Sequence, residues 1–183
     1  PRIVIDGRMV GPVPHGFGRY VTQMARGLAE RRDAIGFPYE IVFLRAANAP
    51  KDAFPGFETH VMDTPFLHPS EIFEIPRALK RLGAQAYHSP TFSSLLSSPC
   101  PWIVTVHDLN HLKFGGFKEK LYYRRLLKPF IRGAASVVTV SEFSRKELAV
   151  RSGVEESSIE VAPNAVDPGL YEPVSREEVE AMQ

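Results

Sequence analysis

Short apolar segments alternate with amphipathic segments along most of the chain. The compact apolar segments predict buried strands at 3–5, 39–44, 58–62, 85–88, 102–107, 136–140 and 159–162. The amphipathic segments repeat their apolar residues at helical spacing, over 17–31, 76–82, 118–132 and 142–152. Strands that alternate with helices indicate an α/β fold with a mainly parallel sheet. The pattern therefore predicts a Rossmann-like sheet of about seven strands with helices on both faces.

Capping residues set the expected limits of two helices. Pro76 should lie in the first turn of its helix, because a proline in a helix interior costs about 3 kcal/mol. Ser141 should cap helix 142–152, and Gly153 should end it.

The chain changes character near its C-terminus. Proline and glycine interrupt the pattern over 168–173, and Ser175 with Glu178 forms a capping-box pattern that predicts a new helix. A helix of about eight residues is marginal by itself. We therefore expect a Rossmann-like domain over residues 1–167, followed over 168–183 by a linker and the start of a second domain.

Composition and charge disfavour several classes of protein. The 22 Lys and Arg residues nearly balance 21 Asp and Glu, which argues against a dedicated nucleic-acid binder. No apolar run approaches the ~18 residues of a membrane span, and the N-terminal segment lacks a signal-peptide pattern. Cys100 is the only cysteine, so no intrachain disulfide can form and a reducing compartment is expected. We expect a cytoplasmic protein.

The residues most suited to contact a ligand lie in the segments that follow the predicted strands. Ligands bind outside the carboxyl ends of parallel strands, so these residues are expected to line one cleft. They are Gly16, Phe17, Gly18 and Arg19 after the first strand, then His88, Ser89, His107, Asp108, Ser141, Arg145 and Asn164.

The glycine-rich segment before the first predicted helix suits a phosphate. Glycines let a ligand approach the backbone, and a helix N-terminus offers unpaired N–H groups and a positive dipole end. A plain strand-to-helix turn explains the glycines equally well. The spacing is not the full dinucleotide fingerprint, and no acidic residue follows the second strand, which ends near Leu44 and Arg45. A nucleotide-dependent oxidoreductase is therefore disfavoured.

The histidines after two strands are candidates for substrate contact. His107 can donate or accept a hydrogen bond near pH 7, because its ordinary pKa is close to neutral. His107, Asp108 and His111 also fit an H-D-x-x-H metal pattern, but Asp108 ordering the turn is the simpler interpretation, and we expect no metal. His88 either faces the cleft or is a satisfied histidine at the end of the sheet.

Helix 118–132 is strongly basic, with Glu119 as its one acidic residue. Such a basic amphipathic helix can contact anionic lipid headgroups or a phosphorylated acceptor. A solvated basic face is the alternative. Peripheral binding at the inner face of a membrane is therefore one expectation. The basic residues are Lys118, Lys120, Arg124, Arg125, Lys128 and Arg132.

Five segments, in this order, resemble the N-terminal half of a GT-B glycosyltransferase: HGFGRYVTQMARGLA, YHSPTF, VTVHDLNH, VSEFSRKEL and IEVAPNAVD. The similarity runs from Ile3 to about Tyr171, and is greatest to the large group of retaining bacterial mannosyl- and glucosyltransferases. It implies two Rossmann-like halves around a cleft, the N-terminal half holding the acceptor and the C-terminal half the nucleotide sugar. The family's paired donor-site glutamates have no match in a suitable context here, so we expect them in the C-terminal half.

The resemblance also implies roles for particular residues. His107 would face the transferred sugar, and Gly16 to Gly18 would lie near the donor diphosphate. Ser141 and Arg145 match a motif on the cleft side. Asn164 begins the hinge motif, in which alanine replaces the usual glycine at the next position.

The implied reaction is sugar transfer with retention, without a metal ion or other cofactor. Enzymes of this group stabilise the departing diphosphate with helix N-termini and basic residues. Mannose from a guanine nucleotide is the expected donor. The acceptor would be a lipid-linked oligosaccharide, a cell-envelope polysaccharide precursor or a small molecule. A non-catalytic Rossmann-like binding module is the alternative, and the chain alone is expected to be inactive.

Overall fold

The computed structural model describes residues 1–13, 15–110, 112 and 115–165. In this part of the chain seven strands form one parallel sheet in the order β3-β2-β1-β4-β5-β6-β7. The predicted Rossmann-like α/β fold is therefore confirmed. The strands are β1 Arg2–Asp6, β2 Glu40–Ala46, β3 Glu58–Met62, β4 Ala86–Ser89, β5 Trp102–Val106, β6 Ser136–Thr139 and β7 Ile159–Val161. The predicted linker and helix over 168–183 lie outside the described residues.

Helices cover both faces of the sheet. They are α1 Gly16–Ile35, α2 Glu71–Arg81, α3 Phe117–Tyr122, α4 Lys128–Arg132 and α5 Glu142–Ser152. A π-helical turn, Tyr123–Leu127, joins α3 to α4, and a 3-10 turn, Glu156–Ser158, precedes β7. The expected limits of α5 are confirmed, because Ser141 caps it and Gly153 ends it in the left-handed conformation at φ 78°.

Strands β1, β2 and β5 are buried on both faces over most of their length, and successive side chains of each point to opposite sides of the sheet. Val4 belongs to the core on one side of the sheet, and Ile5 to the core on the other. Val21 of α1 packs on the side of Ile5, whereas Leu79 of α2 and Leu127 of the π-helical turn pack on the side of Val4. A near-continuous apolar strand pattern is the signature of this two-sided burial.

Pro76 lies in the interior of α2, so its prediction in the first turn is wrong. The helix begins at Glu71, whose carboxylate is buried against Arg8 at 3.0 Å. Ile75, which is completely buried, extends the apolar stripe ahead of the proline. These tertiary contacts outweigh the local cost of the proline.

The predicted helix 118–132 is present, but its hydrogen-bond pattern widens in the middle. Pro129 has no N–H to donate into the preceding turn, and the π-helical turn lies directly ahead of α4. A sequence pattern of apolar residues does not distinguish this turn from a regular helix.

The single tryptophan attaches α4 to the sheet. The ring of Trp102 stacks on that of Phe130 with 5.2 Å between centroids, and its indole N–H donates to the Phe130 carbonyl oxygen at 3.0 Å. A Cβ at position 133 would lie 2.8 Å from the tryptophan ring, so Gly133 permits this close approach. Helix α4 is therefore held against the start of β5.

Candidate functional site

The strand order reverses between β1 and β4. From β1 the chain builds outward through β2 and β3, and from β4 it builds outward the other way through β5, β6 and β7. Loops that leave two such neighbouring strands diverge and open a crevice at the carboxyl edge of the sheet. The segment after β1 and the segment after β4 border this crevice, and β5 ends beside it.

The glycine-rich segment forms the first turn of α1. His15 caps the helix: its Nδ1 accepts from the Gly18 amide at 3.4 Å, and its Nε2–H donates to the Met9 carbonyl oxygen at 2.7 Å. Gly18 is buried near Met9, whereas Gly16 is exposed with open space where a side chain would extend. The amides of Gly16 and Phe17 have no acceptor within the helix, and α1 begins in the segment that follows the carboxyl end of β1, so its positive end lies at this edge of the sheet.

The structure brings His107 together with this first turn. The imidazole lies edge-on to the ring of Tyr20, with 4.5 Å between centroids, and 5.3 Å from the ring of Phe17. Phe17 in turn meets Phe92 of the segment after β4 at 5.3 Å. Residues from three separate segments thus form one aromatic cluster at the switch point.

The hydrogen bond of His107 defines its proton position. Its Nε2 lies 3.0 Å from the Pro90 carbonyl oxygen, and a carbonyl only accepts, so Nε2 carries the hydrogen and Nδ1 is an acceptor in the neutral ring. Burial lowers the pKa of His107, against smaller opposing effects from Pro90 and Asp108. His107 is therefore a neutral hydrogen-bond acceptor near pH 7.

His88 is placed within the sheet rather than in the crevice. It is in register with Ile5, and its Nε2 lies 2.9 Å from the Thr105 hydroxyl. Burial, and then the nearby His107, lower the pKa of His88 to about 4. The hydrogen bond to Thr105 satisfies His88 within the sheet, and His88 lies near the ring of His107.

Ser89 is also used internally. Its side chain is fully buried, and its hydroxyl donates to the Ser93 carbonyl oxygen at 2.7 Å. The sequence placed Ser89 correctly at a strand end, but its hydroxyl orders the following turn.

Helix α5 contacts the crevice through a residue that the sequence did not single out. Ser141 accepts from the Ser144 amide at 3.1 Å as the cap, and the Ser144 hydroxyl donates to the His107 carbonyl oxygen at 3.1 Å. The capping pattern predicted Ser141, but nothing in the sequence shows that Ser144 reaches another strand end. The N-termini of α1 and α5 therefore both contact His107.

Two further predicted residues have local partners. Arg145 forms ion pairs with Glu142 at 2.6 Å and with Glu156 at 3.6 Å. Asp108 orders its own turn, with one carboxylate oxygen accepting from the Asn110 amide at 2.8 Å. The simpler interpretation of Asp108 agrees with this geometry.

Arg19 and Asn164 are exposed. Arg19 lies in the first turn of α1, at the crevice. Asn164 follows β7, the edge strand, which stands four strand positions from β1 and hence roughly 19 Å away. In this domain Asn164 is therefore not brought to the glycine-rich turn.

A buried ion cluster beneath the crevice was missed by the sequence analysis. The Arg8 side chain is fully buried and donates to Asp6 at 2.8 and 2.9 Å and to Glu71 at 3.0 Å. Burial works against the charge of Arg8, but Asp6 outweighs it, so the pKa of the guanidinium lies above its ordinary value. The sequence signal was an aspartate ending a buried strand with an arginine two positions later.

The alternative metal pattern of the sequence includes a residue beyond the described ranges. Among residues 1–13, 15–110, 112 and 115–165, no three histidine, cysteine or carboxylate side chains cluster as metal ligands. His111, the third member of the alternative metal pattern, lies outside them.

A seven-stranded parallel sheet with helices on both faces, whose strand order reverses between β1 and β4, defines a Rossmann-like α/β domain. Residues 14–170 match the sequence model of the family described as Glycosyltransferase Family 4, so the chain belongs to that family. The resemblance to a GT-B glycosyltransferase domain is thereby confirmed.

A solved structure shares the fold. It is described as a glycosyltransferase from Rickettsia africae ESF-5, and it matches with a TM-score of 0.55 at 15% sequence identity. The match covers 99% of this chain and 48% of the other, so this chain spans about half of that protein's length. A comparison with curated proteins finds no match. Among the described residues, no helix has the length and apolar character to cross a membrane.

Proposed function

We propose that this chain is the acceptor-side half of a glycosyltransferase. The enzyme moves a hexose from a nucleotide sugar to an acceptor glycan or lipid, with retention and without a metal ion. Family membership supports sugar transfer, and the crevice at the switch point supports one wall of a substrate cleft. The length of the solved relative, about twice that of this chain, is consistent with a second half that binds the nucleotide.

The observation that carries this proposal is the neutral His107 beside the first turn of α1. Its Nε2–H is held by Pro90, which leaves Nδ1 to accept a hydrogen bond from a hydroxyl of the donor sugar. Packing against Tyr20 and Phe17 restricts rotation of the ring. His107 thus orients the sugar for transfer.

The two helix N-termini supply electrostatic stabilisation in this proposal. The amides of Gly16 and Phe17 and the positive end of α5 meet negative charge as it builds on the departing diphosphate. Such preorganised donors act without a metal ion. Arg19, exposed in the first turn of α1, adds a cation at the same edge.

Replacement of His107 by alanine tests the proposed role. In the complete protein, His107→Ala is expected to lower kcat by about 10²-fold or more, because a preorganised contact to the reacting sugar is lost. His60→Ala is the matched control. His60 lies on the edge strand β3, away from the crevice, and its side chain contacts Arg81 at the end of α2. Steady-state transfer kinetics measure the effect, with circular dichroism to compare folding.

An unchanged kcat in His107→Ala would remove His107 from the site. If the complete protein binds a nucleotide sugar but never transfers it, the non-catalytic binding module replaces the enzyme as the interpretation.

We assign the acceptor surface to the basic face that begins at α3. Phe117 is 80% exposed and Leu121 42% exposed, beside the exposed Lys118 and Lys120. Apolar side chains between cations suit the boundary of an anionic lipid surface. This favours a lipid-linked acceptor and a peripheral position at the cytoplasmic face of a membrane.

A further inference from the structure

The guanidinium of Arg8 connects four segments that border or underlie the crevice. Its donors reach the end of β1, a connection ahead of α2, the start of α2 and the segment after β4. The acceptors are Asp6, the carbonyl oxygens of Thr64 at 3.3 Å and Pro65 at 3.2 Å, Glu71, and the Ser93 hydroxyl at 3.1 Å.

Ser93 belongs to a tight turn that carries the partner of His107. The Ser89 hydroxyl closes this turn by donating to the carbonyl oxygens of Ser93 at 2.7 Å and Thr91 at 3.3 Å. Pro90, inside the turn, presents the carbonyl oxygen that holds the Nε2–H of His107. Arg8 is thus linked to the imidazole through Ser93, Ser89 and Pro90, by hydrogen bonds and the backbone between them.

A role in stability alone does not explain this cluster well. Buried ion pairs are often no more stabilising than apolar residues of similar volume. The contacts of Arg8 join rim segments of the crevice, whereas the apolar cores lie along the two faces of the sheet. Their common effect is to fix where the turn after β4 stands relative to β1.

We propose that Arg8 is a positioning residue that sets the orientation of His107 through Ser93 and the Pro90 carbonyl. The inference rests on the proposed function only in treating His107 as the group that contacts the sugar. Arg8 itself has no contact with substrate in this arrangement. It holds the acceptor that keeps Nδ1 of His107 available.

The test replaces Ser93, which joins Arg8 to the turn, and leaves the arginine in place. Replacing Arg8 would leave two buried carboxylates without their partner and endanger folding. Ser93→Ala deletes a single hydroxyl, which contacts Arg8 and also Glu71. Ser152→Ala is the matched control, because Ser152 is equally buried and its hydroxyl donates to the Leu148 carbonyl oxygen within α5.

The first measurement is solvent exchange of the His107 Nε2–H by ¹H–¹⁵N NMR of the imidazole, near neutral pH. Exchange in Ser93→Ala is expected to be about tenfold faster than in the unsubstituted chain, the scale of one hydrogen bond to a charged group. Ser152→Ala should leave it unchanged. Equal exchange in all three proteins, or equal acceleration in both variants, overturns the proposal.

The second measurement is transfer kinetics in the complete protein. Ser93→Ala is expected to lower kcat about tenfold with an unchanged acceptor KM, because the ring is misoriented and the acceptor face is intact. A raised KM with unchanged kcat contradicts positioning. Absence of transfer in every protein, together with the expected exchange difference, rejects the proposed function and retains the link between Arg8 and His107.

Discussion

His88 is held neutral inside the sheet, and this makes the stability of the chain depend on pH. Its pKa is about 4 in the folded state, where burial dominates, against an ordinary value of about 6.5. Below the ordinary value the unfolded chain binds a proton that the folded chain does not. Stability is therefore complete above about pH 6.5 and falls as the pH drops toward 4.

The His88→Gln variant should lose less of its stability on acidification. Between about pH 7.5 and pH 4.5, the unfolding free energy of the unsubstituted chain is expected to fall by roughly 3 kcal/mol more than that of the variant. His107, whose pKa is also lowered, is present in both proteins, and because it helps lower the pKa of His88 the difference includes the interaction between the two rings. Urea unfolding at the two pH values measures the free energy of each protein. Equal losses of unfolding free energy in the two proteins would mean that His88 is protonated in the folded chain.

Sequence reasoning at this scale succeeded where the signal was local. Ser141 and Gly153 follow from capping rules, and the position of His107 directly after a strand follows from the apolar run before it. It failed where the partner was distant: Glu71 stands 63 positions from Arg8, and no periodicity reports such a pair. The nearby Asp6 is visible two positions before Arg8, but the second carboxylate, Glu71, is identified only in the folded chain.

At the scale of elements, the existence of strands and helices was predictable and their internal detail was not. The apolar runs gave β3 with the same limits as the structure. Pro76 shows the opposite case, since contacts of Glu71 and Ile75 with other elements override a local rule. The π-helical turn likewise depends on how the chain enters α4.

The basic face at α3 should bind anionic membranes. Lys118→Glu with Lys120→Glu is expected to weaken binding to phosphatidylglycerol-containing vesicles by at least about tenfold, since each cation near such a surface contributes about 1 kcal/mol. Arg26→Glu with Lys51→Glu makes the same change in net charge at exposed positions elsewhere. Vesicle sedimentation measures binding, with phosphatidylcholine vesicles as the neutral reference.

Equal weakening by both double variants would show that net charge, and not this face, governs the attraction. Equal recovery of the unsubstituted chain with anionic and neutral vesicles would leave the solvated basic face as the interpretation.

For the whole molecule, we predict a division of labour. The 183-residue chain alone should bind acceptor but transfer no sugar, because in the proposed enzyme a second half holds most of the nucleotide. The complete protein should transfer. Radiolabelled sugar transfer, with acceptor titration of the same samples, checks both statements, and turnover by the chain alone would contradict the division.

The sequence predicted a parallel sheet of seven strands, but not the order of its strands. Periodicity shows which segments are buried on both faces, and it carries no information about which strand lies beside which. The reversal between β1 and β4, which creates the crevice, depends on packing of the whole sheet. Residues such as Asn164 could therefore be placed at the correct edge, but not at their distance from the glycine-rich turn.

Trp102 gives the protein a built-in optical reporter. It is the sole tryptophan, and it lies at the seam between the sheet and the end of the basic helical region, stacked on Phe130. Its emission therefore follows the solvation of that seam without any attached dye. If α4 separated from β5 at a lipid surface and water reached the indole, the emission would shift to longer wavelength. Binding of the intact domain would leave the emission unchanged.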